Sequence, residues 1–153
     1  MTKLLLSIHV LASILVVGPI AVAASLFPRY ARKAAEEDGG SAGAVALLHR
    51  ICSAYAIVGV AVPVFGIATG KQLGVLTDAW LITSMVLTTI AAAILALAIL
   101  PGQERVIEAS AAGEVTDIGR SAARLAGLTG VFNLLWAVVV VLMIVRPGST
   151  TGA

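Results

Sequence analysis

Charged residues are scarce in this sequence. Its 10 Lys and Arg residues and 8 Asp and Glu residues are 12% of the 153 positions, about half the share in a soluble domain. Apolar residues make up 59%, so the chain lacks the polar side chains that a small soluble protein needs to cover its core. This excludes an ordinary soluble domain. A net charge of +2 also gives no basic surface for binding nucleic acid.

Several reactive motifs are missing as well. The sequence has one cysteine, Cys52, so no disulfide forms within the chain. We find no nucleophile paired with a base, no glycine-rich phosphate loop and no Cys and His residues at metal-binding spacing. The long apolar runs contain no Asp or Glu, on which proton- or sodium-driven transport normally depends. Ion-coupled transport is therefore disfavoured.

Four charge-free stretches are long enough to cross a bilayer, which takes about 20 residues of helix. Helices are expected because lipid offers no partner to free backbone groups and four segments cannot close a barrel. The sequence thus predicts an all-α fold, an integral membrane four-helix bundle forming one domain over residues 1–153. The spans are expected at about 4–27, 51–69, 79–100 and 125–145, with inner loops at about 28–44 and 101–123.

These inner loops are short and polar, and we expect neither to bury a core of its own. Within the second loop, residues 103–112 have the pattern of an amphipathic surface helix. Val106 and Ile107 are expected beside the lipid in that helix.

Basic residues are distributed unequally between the two sides of the predicted bundle. Segments on one side carry three and those on the other carry seven. Because positively charged segments stay in the cytoplasm, both termini are predicted outside. The smaller set is Lys3, Lys71 and Arg146, and the larger set is Arg29, Arg32, Lys33, Arg50, Arg105, Arg120 and Arg124.

The first span also has features of a secretory leader. Lys3 precedes an apolar run that ends in the small residues Ala21, Val22 and Ala23, a pattern typical of a cleavage site. The run is longer than a typical leader, and Arg29 follows closely. We therefore expect an uncleaved first span.

His9 is the residue within the spans that is best suited to chemistry. It lies six residues after Lys3, about 9 Å along the helix, and imidazole binds metals or moves protons near neutral pH. The simpler interpretation is a neutral histidine hydrogen-bonded to a neighbouring helix. Met85 and Met143 lie in the same outer third of their spans. Together with His9 they form a candidate Cu(I) site, because Cu(I) prefers soft ligands.

Two more polar residues need an interpretation. Asn133, near the middle of the fourth span, predicts an interhelical hydrogen bond or, in an oxidoreductase, a group that orients the substrate. His49 precedes Arg50 at the inner surface and is expected to be solvated. His9 and His49 are separated by on the order of 25 Å, so within one protomer they cannot be the two axial ligands of one haem. If haem b binds, His9 is the better ligand.

Short motifs at the span ends resemble those of known membrane proteins. Residues 4–10, Leu-Leu-Leu-Ser-Ile-His-Val, and Phe27-Pro28-Arg29 resemble an uncharacterised bacterial family, the domain-of-unknown-function 2269 membrane proteins. The four-span layout is similar to that of the HemJ-like protoporphyrinogen oxidases and the CopD-like copper-resistance proteins. The motifs that resemble the HemJ-like enzymes are His9, Phe27-Pro28-Arg29, Phe132-Asn133 and Arg146-Pro147. The resemblance implies a protein of the bacterial cytoplasmic membrane with haem or copper chemistry at His9.

One position departs from the oxidase pattern. The HemJ-like proteins share a Trp-Leu-x-x-Lys in the third span, whose lysine is taken to act with the histidine. This chain has Ser84 at the lysine position after Trp80-Leu81, at a depth that we expect to match that of His9. A serine cannot supply the positive charge that an anionic porphyrin would need.

Three hypotheses about function follow. The first is a non-enzymatic membrane protein that supports a membrane partner or a second copy, with an outer-leaflet pocket around His9. The second is a membrane oxidoreductase for a porphyrin-like or quinone-like molecule, with His9 and Asn133 in its site. The third is a copper-handling protein that uses His9, Met85 and Met143. All three place the chain in the lipid bilayer, and none involves nucleic acid.

A reporter fusion tests the predicted orientation. A reporter enzyme fused after Ala153 is expected to be active only in the exported compartment, because the less basic side faces outward. The matched fusion after Gly40, in the first predicted inner loop, should be active only in the cytoplasm. The opposite pattern of activity would reverse the orientation.

Overall fold

The computed structural model describes residues 2–36 and 40–148 and is helical, with no β-strand in that part of the chain. The predicted all-α fold is therefore confirmed. The α-helices, in chain order, are α1 (Thr2–Glu36), α2 (Ala42–Gly59), α3 (Ala61–Leu73), α4 (Ala79–Ile94), α5 (Leu100–Ala111) and α6 (Ile118–Val145). A π-helix (Leu95–Ile99) joins α4 to α5, and a 3₁₀ turn (Val115–Asp117) precedes α6.

These elements form four long helices within the described residues. Helices α2 and α3 run on as Ala42–Leu73, and α4, the π-helix and α5 run on as Ala79–Ala111. The four are 34, 32, 33 and 28 residues long, and each is long and apolar enough to cross a membrane. Even the shortest extends for about 42 Å at 1.5 Å per residue. The helices therefore exceed the thickness of a hydrocarbon core, which is about 30 Å.

Two interruptions of regular α-helix lie beside prolines. Helix α2 ends at Gly59 and α3 begins at Ala61, because Pro63 has no N–H to donate to the Gly59 carbonyl. The π-helix lies just before Pro101, and the Leu100 N–H bonds to the Leu95 carbonyl five residues back. Both long helices thus continue past a missing hydrogen bond.

The long helices alternate in direction, which gives the bundle two distinct ends. We call the end where α1 begins and α6 ends the termini end, and the opposite end the basic end. Helix α1 is central, since it packs on α2, α3, α5 and α6. Helix α4 packs mainly on α6. The middle of the bundle is closed by a cluster of buried side chains: Val16, Ile20, Ala23, Ala24, Cys52, Val62, Ala91, Leu95, Ile99 and Phe132.

A second buried cluster closes the basic end, where we had expected loops without a core. Helix α1 continues to Glu36 rather than ending near residue 28, and α5 covers much of the predicted second loop. Val106 is 2% exposed and packs inward instead of lying beside lipid. The cluster contains Phe27, Ala31, Ala34, Val45, Val106, Ile118 and Leu125. Residues 37–39 of the first predicted loop lie outside the described residues.

The outer surface of the long helices is strongly apolar. Only 11–28% of the most apolar stretch of each helix is buried within the bundle, and side chains such as Ile57, Leu97 and Ile144 are more than 70% exposed. Soluble monomers rarely expose apolar patches larger than a few hundred Å². The surface is therefore compatible with a helical bundle in a membrane.

Candidate functional site

His9 points from α1 toward α3 near the termini end. Its Nδ1 lies 2.9 Å from the Val62 carbonyl oxygen, within hydrogen-bond distance. The ring packs directly on Gly66, where an added Cβ would lie 2.9 Å from the ring atom Cε1. A residue with a side chain at position 66 would displace the ring, so glycine is what allows the two helices to hold the imidazole between them.

This contact determines which tautomer a neutral His9 adopts. Because a carbonyl oxygen only accepts hydrogen bonds, Nδ1 carries the proton and donates it to Val62. Nε2 then keeps its lone pair, and it has no hydrogen-bond partner among the described residues. A histidine whose other ring nitrogen is bonded to a backbone carbonyl is also the usual arrangement of a metal ligand. The geometry therefore serves either a helix-to-helix contact or a single ligand at Nε2.

A small cavity adjoins His9 at the termini end. Its volume is about 40 Å³, and its lining includes Leu6, His9, Leu81 and Met143. A water molecule needs roughly 10–15 Å³ of such volume, whereas small-molecule sites usually measure about 300–1,000 Å³. The cavity thus has room for a few waters or one ion. A porphyrin does not fit in it.

A polar contact between helix ends borders the same cavity. The indole N–H of Trp80 donates to Asp78 Oδ2 over 3.0 Å, and the Arg146 guanidinium carbon lies 5.6 Å from the centre of the Trp80 ring. That distance is within the range of a cation–π interaction. Arg146 has a left-handed backbone (φ 45°) that ends α6. The contact thus joins the start of α4 to the end of α6.

The two methionines of the copper hypothesis have different surroundings. Met143 lines the His9 cavity. Met85 is 39% exposed, and it is not among the residues that line that cavity. Ser84 is fully buried, and its hydroxyl donates to the Trp80 carbonyl over 2.8 Å. Of these three side chains, the structure brings only that of Met143 to the cavity.

Asn133 lies in another part of the bundle. Its Nδ2 donates to the Ser25 hydroxyl over 3.2 Å, which is the interhelical hydrogen bond expected of it. Ser25 is 16 residues after His9 on α1, or about 24 Å along the helix. His9 and Asn133 therefore do not share a site. The Asn133 Oδ1 and Trp136 Nε1 atoms are buried and have no hydrogen-bond partner in the part of the chain that the structure describes.

A polar cluster around His49 was missed by the sequence interpretation. His49 donates from Nδ1 to Gln103 Oε1 over 3.0 Å, and its Nε2 lies 3.4 Å from the Ser53 hydroxyl and 3.6 Å from Glu104 Oε1. The Gln103 amide in turn donates to the Cys52 sulfur over 3.7 Å. His49 is thus largely enclosed, at 16% exposure, rather than solvated. Cys52 and Ser53 follow His49 by three and four residues, so on a helix they lie on the same face as His49. This spacing was the sequence signal for a polar cluster.

A cavity larger than the one beside His9 lies at the basic end and was also missed. It measures about 430 Å³ between α1 and α6. Three basic side chains, those of Arg29, Arg32 and Lys33, line it together with Glu36. The cluster of basic residues after Pro28 was visible in the sequence, but the helical extension that carries it was not.

Comparison with known proteins adds no family. No protein-family model, curated protein or solved structure matches this chain. The resemblance drawn from short motifs therefore stays a prediction, and the geometry of the molecule carries the functional argument.

The contact between His9 and Gly66 is tested by a double-mutant cycle. Gly66→Ala should lower the free energy of unfolding by about 1–3 kcal/mol, because the new methyl group displaces a ring that is hydrogen-bonded in place. In a His9→Ala background the same change should cost little. Chemical unfolding in mild detergent measures both values.

Gly127→Ala is the matched control, since a Cβ at this exposed glycine of α6 meets no atom within 4 Å. It should leave stability unchanged or raise it slightly, because alanine is the better helix former. An equal cost of Gly66→Ala with and without the imidazole would contradict the contact.

Proposed function

We propose that this chain is a non-enzymatic, multi-pass protein of the bacterial cytoplasmic membrane, with both termini outside, that supports a membrane partner or a second copy of itself. The proposal rests mainly on the structural role of the His9 ring, which is a contact between two helices. The ring joins α1 to α3 through Val62 and Gly66. The adjoining space, about 40 Å³, suits water or one ion rather than an organic substrate.

The membrane location is supported by the surface of the bundle. Four long helices expose most of their apolar length, and lipid would cover these faces. The same faces are available to a partner whose own helices are apolar, because small side chains such as those of Ala92 on α4 and Ala96 in the π-helix are exposed and allow close helix approach. The greater number of basic residues at the basic end supports a cytoplasmic location for that end.

The oxidoreductase hypothesis receives less support from the geometry. It needs His9 and Asn133 at one substrate, but the Ser25 contact of Asn133 is about 24 Å along α1 from His9. It also needs space for a planar ring system, and the His9 cavity is smaller than that by roughly tenfold.

A visible spectrum separates these hypotheses. Protein purified in mild detergent is expected to carry no stoichiometric haem, so neither the oxidised nor the reduced sample should have a full Soret band. His49→Ala serves as a histidine control, because this residue lies at the opposite end of the bundle. A full Soret band that is lost in His9→Ala and kept in His49→Ala would overturn the non-enzymatic proposal.

Copper handling is a second candidate, and one specific observation favours it. Within residues 2–36 and 40–148, nothing hydrogen-bonds the lone pair of Nε2, while Nδ1 is fixed by Val62. Met143 lines the same ion-sized cavity. An imidazole nitrogen and a thioether are both ligands that Cu(I) accepts. Met85 is not required by this version of the site, because it is not part of the cavity lining.

Anaerobic titration with Cu(I) tests this candidate. One ion per chain is expected, with loss of binding by at least tenfold in His9→Ala and in Met143→Leu. Met85→Leu is the matched control, because it removes a thioether of equal chemistry from an exposed position, and it should leave the affinity unchanged. Absence of saturable binding to the unaltered protein, or equal losses in both methionine variants, would eliminate the site.

A further inference from the structure

The cavity of about 430 Å³ at the basic end has the size of a ligand site. It opens between the extension of α1 beyond Pro28 and the first turns of α6. Arg29, Arg32 and Lys33 line it on α1, and Ala126 lines it on α6. None of the three functional hypotheses from the sequence makes use of this space.

The α6 side of this space has small residues: Ala126 lines it, and Gly130 lies one turn farther along the helix. Ala126 and Gly130 are four residues apart and share one face of the helix, and both are exposed. A Cβ built on Gly130 would meet no atom within 4 Å. Although α1 and α6 are in contact, they therefore leave a groove beside these residues rather than a packed interface.

The charge of the cavity favours an anion. Among the described residues, its lining has three basic side chains and one acidic one, Glu36. Arg29 and Arg32 are both exposed, and a guanidinium group binds a phosphate through paired hydrogen bonds. These charges lie at the end of an apolar helix, the depth at which a bilayer has its phosphates if the helices cross a membrane as proposed.

The groove continues from these charges toward the middle of the bundle. Ser25 lines the cavity one turn before Arg29, about 6 Å deeper along α1. Its hydroxyl accepts the Asn133 amide and retains its own proton to donate to an acceptor such as an ester carbonyl. Beyond it, Val22 on α1 and Leu134 on α6 are 60% and 66% exposed and offer an apolar surface.

We infer that this groove is a binding site for an anionic phospholipid, with the phosphate at Arg29 and Arg32, the glycerol esters near Ser25 and an acyl chain along the exposed apolar side chains. The order of groups along the groove is basic, polar and then apolar. A phospholipid presents the complementary order from headgroup to tail. A free phosphate would contact only the basic residues, Arg29 and Arg32.

Native mass spectrometry of the detergent-purified protein tests the site. Titration with phosphatidylglycerol should show one saturable lipid that binds at least tenfold more tightly than phosphatidylcholine. Arg29→Gln with Arg32→Gln should weaken it about 25-fold, since each basic residue near an anionic lipid contributes roughly fivefold. Ala126→Phe should also weaken binding, because it fills the groove without changing charge.

Arg120→Gln is the matched control for loss of charge at the same end of the bundle. Arg120 is 89% exposed and pairs with Asp117, and it does not line the cavity, so its removal should leave lipid affinity unchanged. Equal weakening by Arg120→Gln and the double variant, together with no effect of Ala126→Phe, would overturn the site in favour of general surface attraction. Displacement of the lipid by millimolar inorganic phosphate would overturn it in favour of a simple anion site.

This inference rests on the proposed membrane location, but the two can fail separately. A chain that stays monodisperse in water without detergent contradicts the membrane location. Equal affinity for phosphatidylglycerol and phosphatidylcholine in a detergent-dependent protein contradicts only the lipid site. The single variants Arg29→Gln and Arg32→Gln provide the comparison if the double variant fails to fold.

Discussion

Hydrogen bonding of the backbone within each helix is the constraint on which this structure depends. A chain with so few polar side chains cannot pair its peptide groups through side-chain contacts, so nearly every described segment is helical. Beside Pro63 and Pro101 the chain adjusts locally: α2 gives way to α3 at Val60, and a π-helix precedes Pro101, whereas α1 runs unbroken past Pro19 and Pro28. The long helices continue on both sides of these points. Their continuity brings His9 to α3 and extends α1 beyond the apolar core.

The number of helices and their alternating directions were readable from the sequence, because charge-free length is a direct measure of a span. The helix ends were not. The prediction ends the first span at residue 27, just before Pro28 and Arg29, yet α1 continues to Glu36 because Ala31 and Ala34 keep one side of it apolar. Charged residues on the other side of a helix do not stop it. Because the predicted first span stops too early, the sequence prediction includes neither the buried cluster at the basic end nor the cavity beside it.

Helix rotation was the second limit on prediction. The spans are apolar on all sides, so no stripe indicates which face packs inward. Depth along the helix placed Met85 and Met143 together, but rotation separates them: Met143 lines the His9 cavity and Met85 is exposed. Depth alone also could not show that the Asn133 amide meets Ser25. The contact of His9 with Gly66 depends on both the depth of each residue along its helix and the rotation of that helix. The sequence gives the depth, but the rotation is seen only in the structure.

The π-helix has a consequence for the alignment of the third long helix. Ala91, Leu95, Ile99 and Gln103 are all buried and recur every four residues. On a regular α-helix each such step turns the next side chain by about 40°, which over three steps would carry Gln103 well away from the packed side. The wider turn before Pro101 absorbs part of that drift. Deletion of one residue between 95 and 99 would therefore rotate all later side chains of this long helix about its axis. The Gln103 amide, which now meets His49, would then face another direction.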